Sequence, residues 1–372
     1  MKHNIVLLAS HSRESAAKEK QYHAAAHALD LEVVPYPDAH TLGVFACSDF
    51  RSVDAANLAA LHRVAGPDVL ATTIATQKSL AYRHFARCGF STLWTHAPLR
   101  AEDLLLDLPY AIIVKPDKGS GSFAEHPWAY QRYDSLRHFH DWLVAQDLLE
   151  AFLAYQNDPN SWYGRYLTME YIGDSDVYTA AAVAGPEKIV IHEGGRLRFT
   201  RDSMQCEWML LGQSHPRHEQ IGHMIQSLHD IGLRQSIIYI QCVEKDGELC
   251  PIDINPRPGT MPDRAFHGLG LPFYPAALAY MLGLAHTLEF SWPTPYVGIR
   301  RLVLPLQHGR RQAAFGAGCV PLIRELAYDS SRPYDLGHAW PMFAVTGHDA
   351  THCAQLAESL AGNLQLSAIA SL

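Results

Sequence analysis

The residues whose types and spacing best suit chemistry are Asp253, Asn255 and Arg257, in the run Ile252-Asp253-Ile254-Asn255-Pro256-Arg257-Pro258-Gly259. In a strand, side chains two residues apart share a face, so Asp253 and Asn255 point the same way and Arg257 follows as the strand ends. Two hard oxygen ligands beside a guanidinium suit Mg²⁺ bound to a polyphosphate. Gln241 precedes Asp253 by twelve residues. The apolar pattern puts it on the partner strand of a hairpin, where it offers a third oxygen across the ladder.

Three further segments carry related chemistry. Ile112-Ile113-Val114-Lys115-Pro116 leads into Asp117-Lys118-Gly119-Ser120-Gly121-Ser122. A lysine leaving a buried strand just before a Gly/Ser loop can set an ammonium and several backbone N–H groups around phosphate oxygens. The loop is not a Walker A motif, because GxxxxGK[ST] is absent. Gln77-Lys78 opens a helix, placing Lys78 37 residues before Lys115 as a second cation for the same phosphates. Thr168-Met169-Glu170-Tyr171-Ile172-Gly173-Asp174-Ser175-Asp176 carries a strand carboxylate into a glycine hinge and on to another carboxylate. Singly, each segment has an ordinary structural explanation. Their order along the chain sets them apart.

Alternating strand and helix must position these groups. An apolar run at 4–9 ends in Ser10-His11-Ser12, and a helix is expected over 14–29, then a strand over 31–35. This is the start of a parallel α/β unit. The turn after the first strand has no glycine, so the dinucleotide fingerprint is missing and the unit is Rossmann-like in shape only. The spacing predicts a helix over 76–88 stopped by Gly89, an aromatic-rich helix over 135–154, and antiparallel strands at 166–172, 177–183 and 188–192. A helix over 220–231 precedes the hairpin 237–243/249–254 with its Lys245-Asp246-Gly247 turn, and a last helix is expected near 351–361. Three domains are expected: 1–75, 76–290 with a lid at about 110–170, and 291–372.

Composition narrows the class. The chain has 372 residues, 48% hydrophobic and 18% charged, enough apolar surface for a sizeable core shared by several domains. Acids outnumber Lys and Arg, 38 to 30, and no basic run exceeds two residues, which argues against a nucleic-acid partner. No apolar stretch approaches a membrane span; 276–285 comes nearest and is broken by Gly283. Seven scattered cysteines without a CxxC pair fit a reducing cytoplasm rather than a disulfide framework. His215, His218, His223 and His229 do not share a helix face as a ligand set and are expected at the surface, whereas His138 and His140 are expected to pack. Neither GxSxG nor a local Cys–His pair offers a protein nucleophile. Arg196, Arg198 and Arg201 read either as a solvated face or as a holder of a substrate carboxylate, and Arg264 as a candidate carboxylate clamp.

Taken in order, the four segments resemble the ATP-grasp superfamily over about residues 75–290, with the flanks resembling it loosely. The resemblance implies a mixed α/β and α+β chain. It would have a Rossmann-like pre-ATP-grasp domain, central nucleotide-binding subdomains and a C-terminal α+β domain. It further implies that Lys78 and Lys115 contact ATP phosphates, and that Gly119, Ser120, Gly121 and Ser122 form the loop closing over them. Glu170, Tyr171 and Ile172 would read the adenine, and Asp176 the ribose. Gln241, Asp253 and Asn255 would hold Mg²⁺ or Mn²⁺, with Arg257 at the transferred phosphoryl group. The chain departs from the family at Gln241 and Asp253, each standing where Glu is usual, and at Asp176, again shorter than Glu.

In size and domain order the chain is similar to the L-amino-acid ligases. The implied reaction is ATP-dependent amide formation between a small-molecule carboxylate and an amine, amino acids being the expected substrates. Glu207 and His215 fall where such relatives build the amine pocket, and a homodimer is expected by the same analogy. Ring closure within one molecule, another nucleophile, and an inactive nucleotide-binding regulator are the alternatives. The regulator is favoured by Gln241 and the shortened Asp253.

Overall fold

β1 (Asn4–Leu8), β2 (Glu32–Val34) and β3 (Thr41–Ala46) form a parallel sheet in the order β2-β1-β3. The computed structural model describes residues 2–10, 13–119, 126–161, 164–173, 177–199, 206–211, 216–259, 271–288, 296–301, 304–305, 319–321, 338–339 and 342–347. α1 (Arg13–Ala28) links β1 to β2, and α2 (Asp49–His62) leaves the end of β3. Burial of Ile5, Val6, Val44 and Phe45 accounts for the apolar runs that marked this unit as parallel.

α3 (Val69–Thr76) and α4 (Lys78–Arg87) replace the single helix expected over 76–88. The break is at Gln77, whose backbone is extended (φ −114°, ψ 109°). Gln77 bridges Lys118, and the Lys78 N–H donates to the Asp117 carbonyl at 2.8 Å. A distant segment thus takes the backbone groups that would have continued the helix. The stop at Gly89 is as expected, with φ +84° and its N–H on the Ala86 carbonyl.

β4 (Thr95–His96), β5 (Ile112–Pro116), β6 (Arg132–Tyr133) and β7 (Tyr166–Glu170) make an antiparallel sheet in the order β4-β7-β5-β6. α5 (Leu136–Ala145) and α6 (Leu149–Asn157) cover it in place of one helix over 135–154. The chain turns between them at Asp147 (φ 57°). That turn brings Phe139 and Phe152 edge to face at 5.2 Å in one aromatic core with Trp128, Tyr133 and Tyr166. A straight helix would carry them apart.

The largest sheet has eight strands in the order β12-β11-β8-β9-β10-β13-β17-β15. Its members are β8 (Val177–Ala184), β9 (Ile189–Phe199), β10 (Cys206–Leu211), β11 (Ser236–Lys245), β12 (Glu248–Asn255), β13 (Tyr296–Arg301), β15 (Cys319–Pro321) and β17 (Met342–Gly347); β14 (Leu304–Pro305) and β16 (His338–Ala339) pair separately. Both faces of β8 and β11 are covered. α7 (Pro216–Asp230) lays Ile221, Met224 and Ile225 on Ala180, Ala182, Ile238 and Ile240. On the other face Val183 and Ile237 meet Tyr22 of α1 and Phe273, Tyr274 and Ala277 of α8 (Phe273–Met281).

Some surface expectations need correcting. His229 is buried, 4% exposed, because α7 presses its last turn against the sheet. His138 is exposed beside Asp134, at 3.6 Å, while Phe139 takes the buried face. The helix expected near 351–361 lies outside the described residues. Among those residues no helix is long and apolar enough to cross a membrane, and Cys47, Cys88, Cys242 and Cys250 are free thiols.

Candidate active site

The β11–β12 hairpin supplies the floor. Asp246 (φ 52°) and Gly247 (φ 84°) form a tight two-residue turn, which sets the register as far as Cys242 and Pro251; a bulge between Gln241 and Cys242 then shifts the pairing by one residue. Gln241 stands directly opposite Asp253, and Tyr239 opposite Asn255, so Gln241, Asp253 and Asn255 share one face as the alternation requires. Asn255 Nδ2 donates to Asp253 Oδ2 at 3.0 Å.

α4 brings Lys78 over this floor. Its Nζ donates to the Gly119 carbonyl at 2.7 Å and lies 3.3 Å from Asp253 Oδ1. One turn later, Tyr82 donates to the Ile252 carbonyl at 2.8 Å, fastening α4 to β12. Asp117 fastens the other side. Its carboxylate accepts from the Ser79 N–H (2.7 Å), Ser79 Oγ (2.8 Å) and Gln77 Nε2 (2.8 Å). Asp117 therefore caps α4 from a different element, tying the end of β5 to the start of the helix that carries Lys78.

Lys115 lies within β5, opposite Leu167, rather than just beyond the strand end as the sequence suggested. Burial pushes its ammonium down to about 8; the Asp253 carboxylate opposes that shift and the Lys78 charge adds to it. Both lysines thus act on the carboxylate of the hairpin. Gly119 follows in the left-handed region (φ +80°), where a Cβ would lie 2.5 Å from the Phe50 ring of α2. Ser120, Gly121, Ser122, Asp176, Arg201, His215 and Arg264 lie outside the described residues.

Arg257 is deeply buried rather than presented to solvent. Its Nε is 2.9 Å from each oxygen of Asp49, and the two side chains are only 6% and 4% exposed. Nη1 donates to the Pro258 carbonyl at 2.8 Å, and Nη2 lies 3.5 Å from Asn255 Oδ1. Asp49 is the first residue of α2, so the parallel N-terminal unit orients this guanidinium. Sequence reasoning passed over Asp49, whose one local mark is an acid opening a helix after a strand.

Glu170 ends β7 and is buried, accepting from Lys245 Nζ at 2.8 Å and from the Trp94 N–H at 3.5 Å. Lys245 was also passed over. Its bond to Glu170 holds its own ammonium above the ordinary range. The Tyr171 N–H is taken by the Ala111 carbonyl at 2.8 Å, and Arg132 stacks on the Tyr171 ring at 4.9 Å. Among the described residues nothing takes the N–H of Ile172. Arg196 and Arg198 occupy register positions out of phase with the Gln241–Asp253 row.

The donor set fits a hard dication. Asp253 Oδ1 is a buried carboxylate oxygen with no hydrogen bond among the described residues, facing the Lys78 ammonium, and Asn255 and Gln241 add amide oxygens on its face. Among the described residues no cluster of three or more His, Cys, Asp or Glu forms a self-sufficient metal site. One carboxylate and two amides suit an ion whose remaining ligands are phosphate oxygens.

No protein-family model matches the sequence, and no curated protein matches it. Solved structures do. An L-amino acid ligase from Bacillus licheniformis aligns with a TM-score of 0.66 at 13% identity, over 97% of this chain and 98% of that one. A carboxyaminoimidazole ribonucleotide synthase from Aspergillus clavatus, complexed with ATP, aligns with a TM-score of 0.68 at 12% identity over 98% of both chains. A phosphoribosylglycinamide synthetase from Anaerococcus prevotii gives 0.59 at 12% identity, over 97% of this chain and 98% of that one. The chain has the ATP-grasp fold.

Proposed function

We propose that this ATP-grasp chain is an ADP-forming ligase that joins a small-molecule carboxylate to an amine through an acyl phosphate. The observation that carries the reading is the approach of Lys78 to 3.3 Å from Asp253 with the Lys115 charge acting on the same carboxylate. Two cations facing a hard-oxygen floor match a bound polyphosphate better than any structural need. The fold relatives include an L-amino acid ligase and a synthase complexed with ATP, which supports the same reading.

In the proposed reaction the substrate carboxylate attacks the γ-phosphorus of ATP and ADP leaves. The amine then attacks the acyl carbon, phosphate departs and the amine loses a proton. Phosphoryl transfer asks chiefly for positioning and charge neutralisation. Lys78 and Lys115 hold the phosphates. Arg257, fixed by Asp49, offers its guanidinium to the transferred phosphoryl group. The loop beginning at Gly119 shuts out water, which otherwise hydrolyses the acyl phosphate. The 169–172 hinge seats the base, with Lys245 neutralising Glu170 and the Ile172 N–H offered to the ring. Asp253, Asn255 and Gln241 would hold Mg²⁺ or Mn²⁺, which when bound neutralises phosphate charge.

Amino acids are the proposed substrates, with the dipeptide-like product formed between two molecules. A screen of ADP release over amino-acid pairs, followed by mass measurement of product, tests this. ADP release that needs both a carboxylate and an amine is expected. Release driven instead by a thiol or bicarbonate assigns another nucleophile. Nucleotide binding with no ADP in any mixture selects the regulator reading, which the single carboxylate in the metal donor set favours.

A further inference from the structure

Asp253 is the anionic side chain of the hairpin floor, and Gln241 and Asn255 on its face are neutral amides. The oxygens of this floor already face positive groups or donors. Asp253 Oδ2 accepts from Asn255 Nδ2 at 3.0 Å. Asp253 Oδ1 has the Lys78 ammonium 3.3 Å away as its counter-charge, without a hydrogen bond among the described residues. The Asn255 amide oxygen faces Arg257 Nη2 at 3.5 Å. A dication taking these oxygens as ligands meets an ammonium, an amide N–H and a guanidinium.

Lys78 is also held where it is. Its side chain is buried and its Nζ donates to the Gly119 carbonyl at 2.7 Å. Its own N–H is bonded to the Asp117 carbonyl at 2.8 Å, and Tyr82, one turn on, is bonded to the Ile252 carbonyl at 2.8 Å, so α4 cannot drift off β12. A buried ammonium gives up a carboxylate only for another anion, because stranding either charge is costly. A free dication offers Lys78 no anion and is repelled by its charge. A triphosphate changes both conditions, since its oxygens can receive the lysine and also complete the ion's coordination.

We propose that Lys78 keeps divalent cations off Asp253 until a triphosphate draws its ammonium away, so that metal is admitted to the floor only together with nucleotide. The inference rests on the nucleotide-binding part of the proposed function. It makes Lys78 a selector for the metal–triphosphate pair as well as a phosphate ligand. Metal and nucleotide then raise each other's affinity by the same factor.

The test titrates Mn²⁺ into the full chain and follows the electron paramagnetic resonance signal of the free ion. Wild type, Lys78→Met and Lys78→Met/Asp253→Asn are compared. Without nucleotide, wild type should take up no more Mn²⁺ than the double variant, which reports ions on other surface carboxylates. Lys78→Met should gain a site, binding Mn²⁺ at least about tenfold more tightly than wild type once the facing like charge is gone. With Mn²⁺ present, AMP-PNP should bind wild type and bind Lys78→Met at least about tenfold more weakly, through the lost bond to a charged oxygen. Two results overturn the proposal: a wild type that takes up Mn²⁺ alone as tightly as Lys78→Met, and a Lys78→Met chain whose uptake stays at the double-variant background. Lys78→Gln, which keeps a donor for the Gly119 carbonyl, is read in the same way if the methionine variant does not fold. A wild-type chain that binds no AMP-PNP even with Mn²⁺ brings down the nucleotide reading itself, and is seen before any variant is made.

Discussion

Asp49→Asn isolates the contact between the N-terminal unit and the hairpin end. In the wild type, Arg257 Nε lies 2.9 Å from both Asp49 oxygens, with both side chains almost fully buried. At an effective dielectric constant near 20, unit charges ~3–4 Å apart attract by about 4–6 kcal/mol, and desolvation offsets much of that. The variant keeps an amide acceptor of the same size but leaves a buried guanidinium without its counter-charge. The guanidinium keeps the bond to the Pro258 carbonyl and the 3.5 Å contact to Asn255, both to neutral groups. Breaking a buried pair from one side typically destabilises by about 3–5 kcal/mol, and the retained acceptor should bring this to about 2–4 kcal/mol. Urea unfolding followed by far-ultraviolet circular dichroism measures it. The double variant Asp49→Asn/Arg257→Gln should lose less than the sum of the singles, because the uncompensated charge is gone. A single variant whose unfolding midpoint matches wild type would refute the reasoning, since the pair would then contribute nothing to holding Arg257.

The pH behaviour of Lys115 follows from its position. Its ammonium is held near 8 in the fold against 10.5 ordinarily, so between those values the unfolded chain binds more protons and this group's contribution makes stability rise with pH. Below about 8 both states are protonated and the full penalty, about 3 kcal/mol, applies. Nucleotide affinity runs the other way, falling as pH rises through about 8. Calorimetry at pH 8.5 in two buffers should show proton uptake on AMP-PNP binding; affinity flat from pH 7 to 9.5 would contradict this. Gly119→Ala should destabilise by about 1–3 kcal/mol through the positive φ and the Phe50 ring. Adding Phe50→Ala should restore part of the melting temperature, and no restoration would remove the ring from the explanation. Lys245→Met should lower stability by about 1–3 kcal/mol by stranding the buried Glu170 carboxylate, read from the same urea curves, and an unchanged midpoint would show the pair to be idle.

The sequence by itself determined what depends on neighbours along the chain. Alternation put Asp253 and Asn255 on one face, and a turn that needs two positive φ values, met by Asp246 and Gly247, made their strand and that of Gln241 neighbours; a bulge between Gln241 and Cys242, which the turn does not dictate, set Gln241 opposite Asp253. The lysine of an apolar strand and the lysine opening a helix were legible for the same reason. Tertiary structure decided the partners. Arg257 meets Asp49 across 208 residues, Glu170 meets Lys245 across 75, and the helix breaks at Gln77 because the Asp117 carbonyl takes the next N–H, that of Lys78. Local pattern dictates that a buried charge or a backbone amide must find a partner. Which one it finds depends on which surfaces the folded chain presses together.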